Sequence, residues 1–262
     1  CQVVPVEFRG EQAWLALDTG APITFLFTEL AAEAPTDSQV GLRADSLAGP
    51  AGPDELGDGA EYVEYAGTVE IGCESWRLPG YGDEAIGVEM LRGRPIVGVL
   101  GLDFFSDVPA EIDYPGNRIV RYLDGAYPAA YRKLPAVTLH GLESGRALID
   151  VVIDGTDHTL MLDTGAHDTI LIGSSEPDDG ELMQVQTADG RRWYVRLGEA
   201  VLELPGEPAR TVPVMRARDI GYFAPELREL GADGLFGLTS LGWRRVIFDI
   251  EAGVLRLGPI SR

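Results

Sequence analysis

Two Asp-Thr-Gly triplets are the residues of this sequence best suited to do chemistry, and they begin at Asp18 and Asp163. In each triplet the glycine permits a tight turn, and the threonine hydroxyl can hold the carboxylate over that turn. Two carboxyl groups in contact cannot both ionise, so they share one proton. The ionised member can then take a proton from water while the protonated member hydrogen-bonds a carbonyl oxygen. The triplets therefore predict acid–base chemistry if the fold brings them together.

The sequence around the two triplets is repeated as well. Residues 16–26, ALDTGAPITFL, align with residues 161–171, MLDTGAHDTIL. A second pair of segments follows in the same order, IVGVLGLDFF at 96–105 and ADGLFGLTSL at 232–241. Matching segments in matching order indicate an internal duplication, and a pseudo-two-fold axis between the copies would set the two aspartates side by side.

Each half reads as β-structure, with few helices. An alternating strand and a tight turn at Gly10 or Gly155 lead into an apolar strand that ends at the triplet, and hairpins and a closing strand follow. The 33 glycines and 17 prolines fit many short strands and turns. We therefore expect an all-β chain with halves at 1–123 and 136–262, joined by a connection at 124–135.

Two short segments carry helix signals. Thr28 could cap a helical turn in the segment FTELAAEA, and Pro225 and Gly231 are the first and last residues of the segment PELRELG. Asp113 and Asp249 occur at matched positions after a strand, where a turn or capping role is expected.

The paired DTGA sequences, each followed by an apolar-apolar-Gly motif, resemble the aspartic peptidases and within them the retropepsin-like branch. The motifs are VLG at 99–101 and LFG at 235–237, and the resemblance covers nearly the whole chain in two tandem copies. It implies a bilobal acid-protease fold of two pseudo-symmetric β-barrel-like lobes. Retroviral members build one active site from two identical chains. This sequence is similar to a single-chain, duplicated version of bacterial type, in which each half supplies half of one site.

The resemblance also implies roles for individual residues. Asp18 and Asp163 correspond to the catalytic pair of an aspartic endopeptidase, with water activated between them. Around the pair it implies supporting roles for Thr19, Gly20, Thr164 and Gly165, and beneath it a ψ-shaped loop of Val99, Leu100, Gly101, Leu235, Phe236 and Gly237. A hairpin flap is expected in each half, within 48–59 and 187–195, where the candidate residues are Gly49, Gly52, Asp189 and Gly190.

Composition limits the partners of the chain. The 42 acidic and 21 basic residues give a formal net charge of −21, which repels phosphate and argues against nucleic acid. No apolar run reaches about 18 residues, so no transmembrane segment is expected. Two cysteines without CxxC spacing and three scattered histidines give no metal-ligand pattern, and no metal or other cofactor is expected. The expected partner is a peptide or protein substrate, bound extended by a monomer.

Three interpretations of Cys1 stay open. Cys1 is similar to the lipid-bearing first residue of a mature bacterial lipoprotein, which favours an extracytoplasmic location: periplasmic, cell-surface or secreted. Alternatively, it marks an arbitrary boundary of the sequence or forms a disulfide with Cys73.

Two other functions stay open beside that of a peptidase. A duplicated acid-protease fold without activity would serve as a peptide-binding or scaffold protein, because a fold alone does not determine function. In a third hypothesis, each half pairs with its equivalent in another molecule. His167 follows the second triplet closely and is expected in a surface loop, with a position lining the cleft as the alternative.

Overall fold

The chain folds mainly as β-strands, and the expected all-β class is confirmed. A computed structural model describes residues 2–8, 11–26, 41–42, 62–66, 69–70, 89–91, 94–116, 118–123, 125–173, 180–186, 192–218, 223–238, 241–243 and 245–258. The strands of the first half are β1 (Gln2–Phe8), β2 (Glu11–Leu17), β3 (Phe25–Leu26), β4 (Gly41–Leu42), β5 (Tyr62–Ala66), β6 (Val69–Glu70), β7 (Glu89–Leu91), β8 (Arg94–Leu100), β9 (Ala110–Asp113) and β10 (Arg118–Tyr122). The strands of the second half are β11 (Ala136–Thr138), β12 (Leu148–Ile153), β13 (Thr156–Asp163), β14 (Thr169–Ile172), β15 (Glu181–Gln186), β16 (Arg192–Glu203), β17 (Arg210–Ala217), β18 (Gly234–Gly237), β19 (Arg245–Asp249) and β20 (Val254–Leu257).

Four strands of the first half form the frame that carries Asp18. β1 and β2 make an antiparallel hairpin, in which Phe8 pairs with Glu11. β2 runs parallel to β8, so that its last residue, Leu17, lies beside Leu100. β3 follows the triplet and returns antiparallel to β8. The triplet therefore begins where β2 leaves the sheet.

The second half repeats this frame and closes it. β12 and β13 form the hairpin, β13 runs parallel to β18 with Leu162 beside Phe236, and β14 lies antiparallel to β18. β14 also pairs with β17, β17 with β16, and β16 with β12, so that six strands close into a barrel. The repeated sequence thus corresponds to a repeated strand order around each triplet.

The turn between β12 and β13 explains one glycine of the repeat. Asp154 and Gly155 both have positive φ, at 51° and 76°, as a two-residue type I′ hairpin requires. Glycine adopts this backbone without steric cost. The turn predicted at Gly155 is confirmed, whereas Gly10 lies outside the described residues.

One six-stranded sheet joins the two halves, in the order β11-β20-β19-β9-β10-β5. At its centre β9 of the first half pairs antiparallel with β19 of the second, with Ile112 beside Val246. Above it the rings of Phe105 and Phe248 pack with centroids 4.5 Å apart, in an apolar cluster that extends through both halves. Burial of each Phe side chain stabilises the fold by about 1.5–3 kcal/mol. Because the apolar cluster contains residues from both halves, the halves share one core.

Short helices and turns complete the frame. Residues Leu102–Phe105 form a 3₁₀ helix directly after Gly101. The helix predicted between Pro225 and Gly231 is present as α1 (Phe223–Glu229), and Gly231 ends it with φ of 70° and the two reverse hydrogen bonds of a Schellman motif. The segment after Thr28 lies outside the described residues. None of the helices in the described ranges has the length and apolar character needed to cross a membrane.

The matched aspartates Asp113 and Asp249 have the turn role expected of them. Oδ1 of Asp113 accepts the Gly116 N–H at 3.0 Å, and Oδ1 of Asp249 accepts the Ala252 N–H at 3.3 Å. Each carboxylate therefore closes the turn between its strand and the next one, far from the triplets in sequence.

Candidate active site

The apolar-apolar-Gly strands lie directly beside the two triplets. The Asp18 N–H donates to the carbonyl oxygen of Leu100 at 3.0 Å, and Asp163 pairs with Gly237 in the parallel register of β13 and β18. Val99 and Leu100 lie on β8, and Leu235 and Phe236 lie on β18. β8 therefore supports the turn of Asp18, and β18 supports the turn of Asp163.

Gly101 and Gly237 sit where no side chain fits. A Cβ atom on Gly101 would lie 2.5 Å from the carbonyl oxygen of Ile23, and one on Gly237 would lie 2.5 Å from that of Asp168. Ile23 and Asp168 follow their triplet aspartates by the same five residues. Each glycine therefore lets the chain after the triplet cross the end of the underlying strand in the same way. This shared crossing explains why the motif ends in glycine in both halves.

The threonines of the two triplets bind each other across the halves. The Thr19 N–H donates to Oγ1 of Thr164 at 2.9 Å, and the Thr164 N–H donates to Oγ1 of Thr19 at 3.1 Å. The Thr19 hydroxyl itself donates to the carbonyl oxygen of Leu162 at 3.2 Å. Both threonines are buried, so these bonds satisfy backbone groups that water does not reach.

We expect Thr19→Val and Thr164→Val each to lower the free energy of unfolding by about 1–3 kcal/mol, since each leaves a buried backbone N–H of the other half without an acceptor. Urea denaturation measures this loss. The matched control is Thr169→Val, because Thr169 is equally buried and its hydroxyl has no hydrogen-bond partner among the described residues. Equal losses in all three variants would contradict a special role for the threonine cross-link.

The two carboxyl groups meet between the triplet glycines. A Cβ atom on Gly20 would lie 2.9 Å from Oδ1 of Asp18 and 3.1 Å from Cγ of Asp163. A Cβ atom on Gly165 would lie 2.9 Å from Cγ of Asp18 and 3.0 Å from Oδ1 of Asp163. Each glycine therefore faces both carboxyl groups, and any larger residue would push the pair apart.

Backbone donors hold each carboxylate in its turn. Oδ1 of Asp18 accepts the Gly20 N–H at 2.9 Å, and Oδ1 of Asp163 accepts the N–H groups of Gly165 and Ala166 at 2.7 and 3.0 Å. Each aspartate keeps part of its surface in contact with solvent. A water molecule or a substrate can thus reach a pair whose geometry is set by the two turns.

The environment favours a shared proton on this pair. Burial raises the pKa of Asp18, against the hydrogen bond from Asp163 and the backbone donors. Burial also raises the pKa of Asp163 well above its ordinary value, and the negative charge of Asp18 raises it further. The pair therefore titrates as a unit, with one carboxyl group protonated at a pH where an exposed aspartic acid would be ionised.

Several predicted residues lie away from this pair or outside the described ranges. Gly49 and Gly52 of the first flap candidate, and Asp189 and Gly190 of the second, are outside the described residues, as are Cys1 and Cys73. β15 and β16 pair up to Gln186 and Arg192, so the last four residues of the second candidate, 192–195, lie on β16. Nδ1 of His167 lies 3.1 Å from Oδ2 of its neighbour Asp168. In the described part of the chain no group of three or more His, Cys, Asp or Glu residues is arranged to hold a metal ion.

One charged residue near the pair was not predicted from the sequence. Arg146 lies just before β12, and its guanidinium binds Oε1 of Glu226 on α1, 80 residues away, with Nε at 3.1 Å. The positive charge of Arg146 lowers the pKa of Asp18. No motif marks an isolated arginine, and only the fold brings it to the site.

No protein-family model matches this chain, and no curated protein matches its sequence. The functional interpretation therefore depends on the geometry of the two triplets.

Proposed function

We propose that this chain is an aspartic endopeptidase of the single-chain, retropepsin-like type, with Asp18 and Asp163 as its catalytic pair. The observation that carries the proposal is the meeting of the two carboxyl groups between Gly20 and Gly165. Each half supplies one carboxyl group, which explains why one chain repeats the same acidic turn. The substrate class is a peptide or protein segment.

The chemistry follows from one shared proton. The ionised carboxylate takes a proton from water as the water oxygen bonds to the carbonyl carbon of the peptide. The protonated carboxyl group hydrogen-bonds the carbonyl oxygen, on which negative charge develops. When the tetrahedral intermediate breaks, the C–N bond is cleaved and the leaving nitrogen receives a proton from the pair. The reaction is balanced by water alone, and the pair returns to its starting state with one proton.

The rigid cross-link of the turns supports this role. Acid–base catalysis requires the two carboxyl groups to stay within hydrogen-bond reach of one water molecule. The mutual bonds of Thr19 and Thr164 tie the two turns together, and Gly101 and Gly237 let the chain pass close beneath them. The position of the pair is therefore set by buried backbone contacts from both halves.

The proposal is tested by incubating the protein with a mixed peptide library from about pH 3 to pH 8 and identifying cleavage sites by mass spectrometry. We expect cleavage with an acidic or neutral optimum and its loss on addition of a statine-type transition-state mimic. A folded protein that cleaves nothing across this range, yet binds the statine peptide, would replace the proposal with that of an inactive peptide-binding protein.

A further inference from the structure

The sheet that joins the two halves carries a buried cluster of charged residues on one face. Glu111 and Asp113 lie two residues apart on β9, so their side chains share that face, and they are only 2% and 3% exposed. Arg118 on β10 and Arg245 on β19 lie directly beside Asp113 in the strand pairing. Two carboxyl groups and two guanidinium groups therefore meet where the first half pairs with the second.

Asp113 has a partner for each of its carboxylate oxygens. Oδ2 accepts Nε–H of Arg118 at 2.9 Å, and Oδ1 accepts the Gly116 N–H at 3.0 Å. Nη2 of Arg245 lies 3.6 Å from Oδ2. Arg245 of the second half therefore divides its charge between Asp113 and the neighbouring Glu111.

Glu111 has fewer partners than Asp113. Nη1 of Arg245 lies 3.1 Å from Oε1 of Glu111, yet Oε1 accepts no hydrogen bond from the described residues. Oε2 accepts the hydroxyl of Tyr122, a neutral group whose own pKa is raised by burial and by the charge of Glu111. A buried carboxylate oxygen without a hydrogen bond costs free energy, whereas a protonated carboxyl group has no charge to compensate.

Burial outweighs the attractive groups around Glu111 and raises its pKa. In the described part of the chain, the charged and titratable groups that act on Glu111 are Tyr122, Arg245, Asp113 and Arg118. The guanidinium of Arg245 also lies 5.2 Å from the ring centroid of Tyr131, in the connecting segment at 124–135. Arg256 on β20 is directed to the same segment, where its Nε donates to the Tyr127 hydroxyl at 2.8 Å. Arg245 is therefore the cation of the second half that compensates Glu111.

We propose that Glu111 is a proton-linked latch between the two halves: the joining sheet is most stable when Glu111 holds a proton and weakens when Glu111 ionises, and Arg245 limits that loss. The folded chain holds this proton more firmly than the unfolded chain. Its contribution to stability is therefore fully present below about pH 4.3, the ordinary pKa of glutamic acid, and is lost as the pH rises toward the raised pKa. The latch belongs to the resting protein and is independent of the proposed peptidase activity.

The first measurement is a ¹³C NMR titration of the glutamate Cδ atoms from about pH 3 to pH 8, with the resonance of Glu111 assigned by its loss in Glu111→Gln. In the unaltered chain we expect a midpoint above about 4.3. Arg245→Gln should raise this midpoint by about one unit or more, because an attractive charge is lost. Arg245→Lys, which keeps the charge, should raise it less.

Arg121→Gln is the matched control for the titration. Arg121 lies on β10 beside Tyr122, so its side chain is on the opposite face of the sheet, where it pairs with Asp107 and is 15% exposed. We expect it to leave the Glu111 midpoint nearly unchanged. A shift as large as that of Arg245→Gln would mean that Glu111 responds to the net charge of the chain rather than to Arg245.

The second measurement is urea denaturation at about pH 4 and pH 7 of the unaltered chain, Glu111→Gln, Arg245→Gln and the double variant. We expect Glu111→Gln to gain stability relative to the unaltered chain as the pH rises, because it has no proton to lose. At pH 7 Arg245→Gln should cost more in the unaltered chain than in Glu111→Gln. At pH 4 the two losses should be closer, because more of Glu111 is protonated. If Arg245→Gln does not fold, Glu111→Gln still tests the sign.

Three results would overturn the inference. They are a Glu111 midpoint at or below the ordinary value of glutamic acid, a Glu111→Gln variant that loses stability relative to the unaltered chain with rising pH, and equal losses from Arg245→Gln in both backgrounds at pH 7. None of these readings uses a substrate, so a chain that cleaves no peptide can still show the latch. The aspartate Cγ resonances report the carboxyl pair separately from Glu111.

Discussion

Asp18→Asn and Asp163→Asn should each lower kcat/KM for peptide cleavage by about 10³–10⁴-fold, since each removes one member of an acid–base pair. Asparagine keeps the shape of the side chain, and its nitrogen or oxygen can still occupy the space between Gly20 and Gly165. It can neither accept the proton of water nor supply one to the leaving nitrogen. Because the two aspartates act as a unit, removal of either one already removes the catalytic effect of both. The double variant should therefore be slower than either single variant by no more than about 10-fold.

The matched control for this experiment is Asp157→Asn. Asp157 is exposed and lies on β13, the strand that ends at Asp163, so it tests the same substitution on the same element. We expect full activity in this variant. Steady-state kinetics on a peptide found in the library, with folding checked by circular dichroism, provides the measurement. Cleavage at an undiminished rate in either single triplet variant would refute the two-carboxylate mechanism.

The central geometry of the site was predictable because the sequence contains each of its two motifs twice. The repeated triplet places Thr19 and Thr164 at equivalent positions of the sequence, and the resemblance implies a supporting role for both. The repeated apolar-apolar-Gly motif likewise placed Gly101 and Gly237 beneath the turns. Both motifs reflect local packing constraints that select glycine. A Cβ atom on Gly20 or Gly165 would lie 2.9 Å from the carboxyl group of Asp18, and one on Gly101 or Gly237 would lie 2.5 Å from a backbone oxygen.

Contacts between residues far apart in the chain cannot be predicted from residue types in this way. The closing contact of β16 with β12 and the central pairing of β9 with β19 depend on which apolar strands meet, and many strands of similar pattern are available. The ion pair of Arg146 with Glu226 spans 80 residues and follows no motif.

Stability should depend on pH through the same carboxyl pair, with a sign opposite to that of an ordinary salt-bridged aspartate. Burial and the charge of Asp18 raise the pKa of Asp163 in the folded chain, so folding keeps a proton that the unfolded chain releases. This contribution is fully present below about pH 4, the ordinary range of aspartic acid. It is lost as the pH rises toward the raised pKa, by about 1.4 kcal/mol per pH unit for one proton.

Asp163→Asn removes the carboxyl group that holds this proton, so the variant does not lose this contribution as the pH rises. Relative to the unaltered chain it should therefore become increasingly stable with rising pH, while cleavage is abolished. We expect little difference from the unaltered chain near pH 3 and a gain in the free energy of unfolding that grows as the pH rises above the ordinary range of aspartic acid, measured by urea denaturation at each pH. The difference between the two curves isolates the pair, because other groups, including Glu111, whose pKa burial also raises, contribute to both. Asp157→Asn should show no such divergence. A variant curve parallel to that of the unaltered chain would mean that the two carboxyl groups do not share a proton.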